Sequence, residues 1–270
     1  MSVFQLTQRG VLAISGPKAA DFLQGMMTQN MRKLSADNPI YTAFLTSQGR
    51  VLYDGFIIKK SDDTYLIDVA KDNLMALAKY LHTYQMRFEI NFEDLSDNYQ
   101  VAYSFDDNAS HPNALFTYTD PRLSAMGTRF IVATDTELES GDSAYEEKRI
   151  KLGLPHVGID SFADKTLANE LCLADIQGVD YEKGCYVGQE ITARTHFRTQ
   201  PKKRLMCIEA SSPLPAAGTK LQYNGKDVAE LAAVAGNDGI AVVRLNQYQD
   251  LSCQGQEIKA HKPTWASYEV

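Results

Sequence analysis

The chain has 270 residues, of which 44% are hydrophobic and 23% charged, and this composition is ordinary for a soluble globular protein. That length is enough for one large domain or for two to three small ones, with a real buried core. The formal net charge of −7 argues against a protein that binds nucleic acid over its whole surface.

The first half of the chain predicts helices interspersed with antiparallel strands. A helix is predicted over residues 17–31, where Pro17 suits the first turn. Residues 41–69 contain β-forming runs separated by polar turns, which predicts an antiparallel meander. Apolar residues at helical spacing predict a second helix over residues 71–84. Further predictions are strands near 86–92, 98–105 and 128–133, a surface loop over 106–113 and a helix over 143–152.

The last third of the chain changes character. Short β-like runs separated by Gly, Pro and Asn predict a small all-β domain from about residue 203; they are residues 204–210, 219–223, 227–235 and 239–245. The whole pattern predicts an α+β fold, with antiparallel sheets, flanking helices and a C-terminal small β-barrel. It argues against a doubly wound parallel sheet. The predicted division is a body over residues 1–202 and a barrel domain over residues 203–270.

Several common functional signatures are missing from the sequence. There is no phosphate-binding or dinucleotide glycine loop, no zinc-protease helix motif and no nucleophile elbow. The spacing of the four cysteines matches neither a zinc knuckle nor a dithiol redox motif, so no metal site is predicted. The N-terminus lacks the pattern of a signal or transit peptide, and no window approaches the roughly 20 apolar residues of a membrane span. These absences predict a cytoplasmic protein without membrane contact.

The segment around Cys185 is the strongest candidate for chemistry. Gly184 and Gly188 flank the thiol, so the backbone there can bend sharply and approach a ligand closely. A helix predicted over residues 189–197 directs its positive N-terminal end towards the thiol, which favours a thiolate. The positive charge of Lys183 and of five Lys or Arg side chains within residues 194–204 acts in the same direction. Gln189 and Glu190 could orient the thiol or a ligand by hydrogen bonds, whereas the alternative is a solvated basic helix beside a structural cysteine.

The run from Lys183 to Glu190 resembles the signature of the YgfZ family, Lys-Gly-Cys-Tyr-x-Gly-Gln-Glu, with every fixed position filled. Further blocks resemble the same family, and the likeness spans most of the chain. Residues 14–25 resemble its opening helix, and residues 47–52 resemble its first hairpin. Residues 149–155 match another block, and residues 202–205 resemble the entry into its last domain.

The resemblance implies a fold similar to the aminomethyltransferase of the glycine cleavage system, with two interwoven α+β subdomains in the body and a central hole that binds tetrahydrofolate or a derivative. It implies a role in the assembly or repair of iron–sulfur clusters in a subset of enzymes, including radical enzymes that modify tRNA. It identifies Cys185 as the reactive thiol. The residues that it implies for folate binding are Lys183, Arg149, Glu170, Arg194 and Tyr186, with Gly184, Gly188, Gln189 and Glu190 completing the motif.

The implied partners are folate and iron–sulfur enzymes or assembly proteins, without direct contact to nucleic acid. Whether the chain is itself an enzyme stays open at this point. One alternative is a folate-dependent one-carbon transferase, which moves an aminomethyl or methyl group. Another is a scaffold in which Cys185 is only structural. A cluster held by this chain alone is disfavoured because four thiolates are the usual requirement.

Overall fold

Three antiparallel sheets organise the residues that the computed structural model describes, which are 2–86, 88–199 and 201–270. The remaining residues, 1, 87 and 200, fall within the predicted body, and residue 87 also falls within the strand predicted near 86–92. The predicted fold class, antiparallel sheets with flanking helices and a terminal barrel, is confirmed.

The first sheet contains the predicted meander. Its five strands, in spatial order, are β3 (Ile40–Leu45), β4 (Val51–Lys59), β5 (Thr64–Ala70), β2 (Arg9–Ser15) and β6 (Asn91–Asp94). Strands β3, β4 and β5 pair consecutively and antiparallel, as predicted. Strand β2 was not predicted, and the resemblance even placed Ile14 in an opening helix. This strand is buried along almost its whole length because Val11 and Ala13 pack in one apolar cluster and Leu12 and Ile14 in another, so it lacks the alternation of a half-exposed strand.

The second sheet lies in the other part of the body. Its strands, in spatial order, are β1 (Phe4–Gln5), β7 (Tyr99–Ser104), β9 (Thr128–Ala133) and β8 (Ala114–Thr119). Strands β7 and β9 agree with the predictions for 98–105 and 128–133. Strand β8 was missed; it is largely exposed, and its register shifts between Ala114 and Phe116 where it pairs with β9.

Buried ion pairs connect the two sheets. Asp68 on β5 accepts from Arg9 on β2 at 2.6 Å and from Arg129 on β9 at 2.5 Å. The guanidinium groups of Arg9, Arg122 and Arg129 lie 5.7, 4.9 and 4.1 Å from the centre of the Phe56 ring. The interior between the sheets is therefore charged as well as apolar, a feature that the sequence pattern did not predict.

Four α-helices flank the sheets in the described part of the chain: α1 (Ala19–Met26), α2 (Leu74–Gln85), α3 (Asp142–Lys151) and α4 (Gln189–Phe197). Helix α2 buries Leu74, Leu77 and Leu81, the face that the helical spacing predicts. Helix α1 is shorter than the predicted 17–31. It ends at Met26 because Met27 takes an extended conformation and forms a bridge with Phe44 of β3.

The chain ends in a closed barrel. Its strands, in order around the barrel, are β10 (Lys203–Ala210), β13 (Asp238–Arg244), β12 (Lys226–Ala235), β11 (Lys220–Tyr223), β14 (Leu251–Cys253) and β15 (Gln256–His261). All four predicted runs are strands, whereas β14 and β15 were not predicted. Leu205 and Ile240 of the barrel share one apolar cluster with Leu154 and Phe162 of the body. The barrel therefore packs on the body, and the division into domains at residue 203 stays a prediction.

Candidate functional site

The segment from residue 177 to residue 188, here called the Cys185 loop, crosses the C-terminal end of α1. The backbone N–H of Asp180 donates to Thr28 O at 3.0 Å, and that of Val187 donates to Gly25 O at 3.1 Å. The hydroxyl of Thr28 donates to Gly178 O at 2.6 Å. These contacts join positions about 150 residues apart and hold the loop at both ends and in the middle.

Lys183 is the buried anchor of this loop. Its ammonium donates to the carbonyl oxygens of Gln24 at 2.7 Å, Met27 at 2.5 Å and Gln29 at 2.9 Å. An ammonium group has three protons, so all of its donors are used. The partial negative charge at the carbonyl end of α1 offsets part of the cost of burying this cation. Burial lowers the pKa of Lys183 to about 8. No proton of this side chain is left for the folate ligand that the sequence predicted.

Cys185 lies on the opposite, exposed side of the same loop. The predicted helix over 189–197 is confirmed as α4, and Gly188 is its N-cap with a φ of 82°. A β-carbon at Gly188 would lie 2.6 Å from Thr46 O in the turn between β3 and β4, so only glycine permits this approach. At Gly184, in contrast, nothing lies within 4 Å of a built β-carbon. The thiol thus lies on an open stretch, three residues before a tightly packed helix start.

The other three cysteines are buried. Burial raises the pKa of Cys172 and of Cys207 to about 12, and it also raises the pKa of Cys253. Buried thiols of this kind are inert because the thiolate is the reactive form. Cys185 is therefore the one exposed thiol of the chain.

Tyr186 and Gln189 hold the loop from within. The Tyr186 ring is buried, and its centre lies 4.9 Å from the Lys183 ammonium. Burial raises the pKa of Tyr186 to about 12. The Gln189 amide donates to Lys183 O at 3.5 Å, while Glu190 is exposed. Tyr186 and Gln189 thus contact the Lys183 side of the loop.

Arg149 lies in a separate buried cluster. Its guanidinium donates to both carboxylate oxygens of Glu146, at 2.8 and 2.5 Å, and to both of Asp160, at 3.1 and 2.6 Å. It also donates to Leu154 O at 3.0 Å. These five contacts use all five donors of an arginine. The group is fully buried, so it has no donor left for a folate carboxylate.

The two remaining predicted folate ligands lie on different surfaces. Glu170 accepts from the backbone N–H of Leu167 at 3.0 Å and lines a groove between body and barrel. Arg194 is exposed on α4. The structure brings Lys183 and Tyr186 together, but it does not assemble all five predicted residues into one site. Folate binding by these residues stays a prediction.

The inner side of α4 contacts side chains from the segments that precede it. Asn169 donates to Thr195 Oγ1 at 2.8 Å and accepts from the Tyr181 hydroxyl. The Tyr181 ring stacks on His196 with centres 3.7 Å apart and an angle of 9° between planes. These partners are distant in sequence and share no local pattern. The resemblance pointed to Glu170 as a folate-binding residue, whereas the neighbouring Asn169 is the residue whose side chain contacts α4.

The described ranges, 2–86, 88–199 and 201–270, contain neither a metal-binding group of side chains nor a helix that could span a membrane. No three His, Cys, Asp or Glu side chains gather there in a group that could hold a metal ion. None of the helices there has both the length and the apolar character needed to cross a membrane.

Comparison with known proteins identifies the class of fold. Residues 1–103 match the GCVT N-terminal domain, and residues 202–268 match the CAF17 C-terminal beta-barrel domain. The solved aminomethyltransferase T of the glycine cleavage system from Bartonella henselae aligns over 98% of this chain and 86% of that one, with a TM-score of 0.77 and 14% identity. The chain therefore has an aminomethyltransferase-like fold that ends in a CAF17-type barrel. At this identity the structural likeness shows the fold alone.

Relatives that resemble the chain in sequence carry more specific names than the shared fold. The mitochondrial iron-sulfur cluster assembly factor IBA57 homolog of Neurospora crassa is 33% identical over 248 residues, which are 79% of this chain and 56% of that protein. The homolog of the same name from Neosartorya fischeri is 27% identical, over 93% of this chain and 72% of that protein. The chain thus spans 56% of the length of the Neurospora protein. These relatives are named IBA57 rather than YgfZ.

The predicted cytoplasmic location is contradicted by these relatives. The homologs from Neurospora crassa, Neosartorya fischeri and Coccidioides immitis are all named as mitochondrial proteins. The cytoplasmic prediction depended on the absence of an N-terminal pattern, and the names point to a mitochondrial location instead. That prediction is therefore wrong.

Proposed function

We propose that this chain assists the assembly or repair of iron–sulfur clusters in other proteins, and that Cys185 is the thiol that acts on the cluster or on its sulfur. The IBA57 relatives support the cluster-assembly role, since their names state it. The observation that carries the role of the thiol is that Cys185 alone among the four cysteines is exposed.

The surroundings of Cys185 suit a thiol that meets a partner protein. Lys183 and the backbone contacts to α1 hold the loop, so the sulfur keeps its position when a partner binds. A cluster needs about four thiolate ligands, and this chain offers one that is exposed. The cluster is therefore cargo, and a partner supplies the other ligands.

The finer parts of the proposal concern ligand, clients and domains. We include tetrahydrofolate or a derivative as a ligand and radical enzymes that modify tRNA as clients, as the YgfZ resemblance implies. We also keep the division into a body and a barrel domain at residue 203. Because the predicted folate residues do not form one site, no step in the proposed role is assigned to folate.

The alternative function is a folate-dependent one-carbon transferase. The likeness to aminomethyltransferase T favours it, but that likeness shows the fold and not the activity. The assay is transfer of a formaldehyde-level carbon from an aminomethyl donor to tetrahydrofolate. Turnover by the wild type would support this alternative over the assembly role.

The direct test of the assembly role is Cys185→Ala in cells that lack the native protein. We expect the activities of four-iron enzymes to fall to the level of the deletion, while enzymes without clusters stay normal. Cys253→Ala is the matched control because it removes a buried thiol far from the loop. Normal four-iron activities with Cys185→Ala, at an unchanged amount of folded protein, would refute the proposal.

Folate binding is tested separately by titration with tetrahydrofolate and with 5-formyl-tetrahydrofolate. An ordinary micromolar affinity corresponds to about 8 kcal/mol of binding free energy. Arg194→Ala is the informative variant, because Arg194 is a predicted ligand whose side chain is exposed. Absence of saturable binding by the wild type would remove folate from the proposal and leave the assembly role intact.

A further inference from the structure

The outward side of α4 exposes a large apolar side chain between cations. We call Glu190, Arg194, Phe197 and Arg198 the α4 outer face; all four side chains are exposed and line one shallow depression. Phe197 is 69% exposed, as much as Met75 at a distant position on α2. A phenylalanine exposed to this extent beside arginines resembles the centre of a protein interface, where aromatic residues and Arg are enriched.

The Phe197 ring is supported from beneath, which distinguishes it from a loose surface side chain. It packs edge-on against His196, with centres 4.7 Å apart, and against Tyr181, at 5.8 Å. Those two rings stack on each other, and the Tyr181 hydroxyl donates to Asn169. The ring is therefore presented to solvent in a defined position, so little conformational entropy is lost when a partner covers it.

The two arginines of this face are opposite in sign to the net charge of the chain, and Glu190 is the one carboxylate of the face. The chain carries a net charge of −7, yet Arg194 and Arg198 lie one helical turn apart on this side of α4. Neither guanidinium forms an ion pair with any residue that the structure describes. A local basic surface on an acidic protein favours a partner with carboxylates at matching positions.

The α4 outer face begins five residues after the thiol along the chain. Helix α4 rises about 1.5 Å per residue, so Phe197 lies about 12 Å along the axis from Gln189, close to the Cys185 loop. A standard interface covers about 800 Å² on each partner, which is wide enough to include both ends of α4. A partner of this size that covers Phe197 and the start of α4 would also approach the Cys185 loop.

We infer that the α4 outer face is the docking surface for a protein partner that presents an apolar side chain flanked by carboxylates. This inference rests on the proposed function, because it names the surface that brings a cluster-carrying partner to Cys185. Single-stranded RNA is the competing class, since bases stack on aromatic side chains beside cations. The net charge of −7 and the small number of cations on this face favour a protein.

The binding test uses a fluorescein-labelled amphipathic helical peptide of Leu, Ala and Glu. The matched probes are the same peptide with Lys in place of Glu and a single-stranded RNA oligonucleotide. We expect saturable anisotropy with the acidic peptide and none with the basic peptide or the RNA. Phe197→Ala and the double variant Arg194→Glu with Arg198→Glu should each weaken that binding at least tenfold.

The control variants change equally exposed side chains elsewhere. Met75→Ala removes an apolar group of the same exposure, and Lys226→Glu with Lys259→Glu reverses two charges on the barrel. Both should bind the acidic peptide within twofold of the wild type. The inference is overturned if the acidic peptide does not bind, if the α4 variants bind it as the wild type does, or if the RNA binds and is lost in those variants.

A cell assay separates this inference from the proposed function. Phe197→Ala should lower four-iron enzyme activities several-fold, while the alkylation rate of Cys185 stays that of the wild type. If Cys185→Ala lowers the activities and Phe197→Ala does not, the docking surface is wrong and the assembly role stands. If neither variant lowers them, the assembly role itself has failed.

Discussion

The two sides of the Cys185 loop differ in physical character. The inner side, with Lys183 and Tyr186, is buried, and its polar groups are paired with the backbone around the end of α1. The outer side, with Cys185 and α4, is exposed and carries cations without ion-pair partners among the described residues. The motif thus divides into residues that hold the loop and a residue whose thiol is exposed to solvent. Substitutions of the buried and of the exposed residues should therefore differ in their effect on stability.

The largest effect is expected for Arg149→Leu in the separate buried cluster. The substitution leaves the Asp160 and Glu146 carboxylates without their cation, and breaking a buried pair costs about 3–5 kcal/mol. Urea unfolding measures the loss. Arg149→Lys should recover only part of it, because an ammonium cannot replace five donors arranged in a plane. If Arg149→Leu lowers the free energy of unfolding by less than about 1 kcal/mol, Arg149 would again be a candidate for binding folate.

Lys183→Met should destabilise the chain by about 2–4 kcal/mol, because three carbonyl oxygens lose their donor in a buried place. Hydrogen exchange should quicken in the Cys185 loop and at the end of α1, and stay unchanged in the barrel. A lysine whose role is to bind folate would behave differently, because replacing it would weaken folate binding and leave the free energy of unfolding unchanged. That result would contradict the assignment of Lys183 as the anchor of the Cys185 loop.

The pH dependence of stability gives a smaller effect from the same residue. Burial lowers the pKa of Lys183 from its ordinary value of 10.5 to about 8, so between these values the unfolded chain binds more protons than the folded chain. The stability that the chain gains when Lys183 is neutral is therefore fully present above pH 10.5 and is lost as the pH falls through about 8. The difference in unfolding free energy between wild type and Lys183→Met should grow as the pH rises across this window. A difference that shrinks with rising pH would contradict the lowered pKa.

Cys185→Ala should leave stability within about 0.5 kcal/mol of the wild type, because an exposed side chain is removed. In the folded wild type, iodoacetamide should modify one cysteine quickly and the other three slowly. Mass spectrometry identifies the modified peptide. Equal slow rates at all four positions would favour the scaffold hypothesis, in which Cys185 has no reactive role.

The sequence predicted those parts of the fold that repeat over short distances. Leu74, Leu77 and Leu81 mark the buried face of α2, and the turns between β3, β4 and β5 separate three strands. The start of α4 after Gly188 followed from local pattern as well. Strand β2 was missed because burial on both faces removes alternation, and β8 because it is largely exposed and irregularly paired.

The sequence located the candidate thiol, but it could not show which acceptors the neighbouring cations contact. The motif drew attention to Cys185, and its exposure agrees with that choice. The same motif predicted that Lys183 contacts folate, and the resemblance predicted the same of Arg149. Both side chains have all of their donors occupied by acceptors within the protein. A count of positive charges along the chain cannot reveal this, because a cation and its acceptors need not be neighbours in sequence.

By itself, then, the sequence determined the helices and strands with clear periodicity, the existence of the terminal barrel and the position of the candidate thiol. These depend on side-chain patterns within about ten residues and on the freedom of glycine. The tertiary structure alone decided which cations are anchors and which are free, and which side of α4 faces solvent. That decision depends on contacts such as those of Lys183 with the end of α1, which lie more than 150 residues apart and form only when the chain has folded.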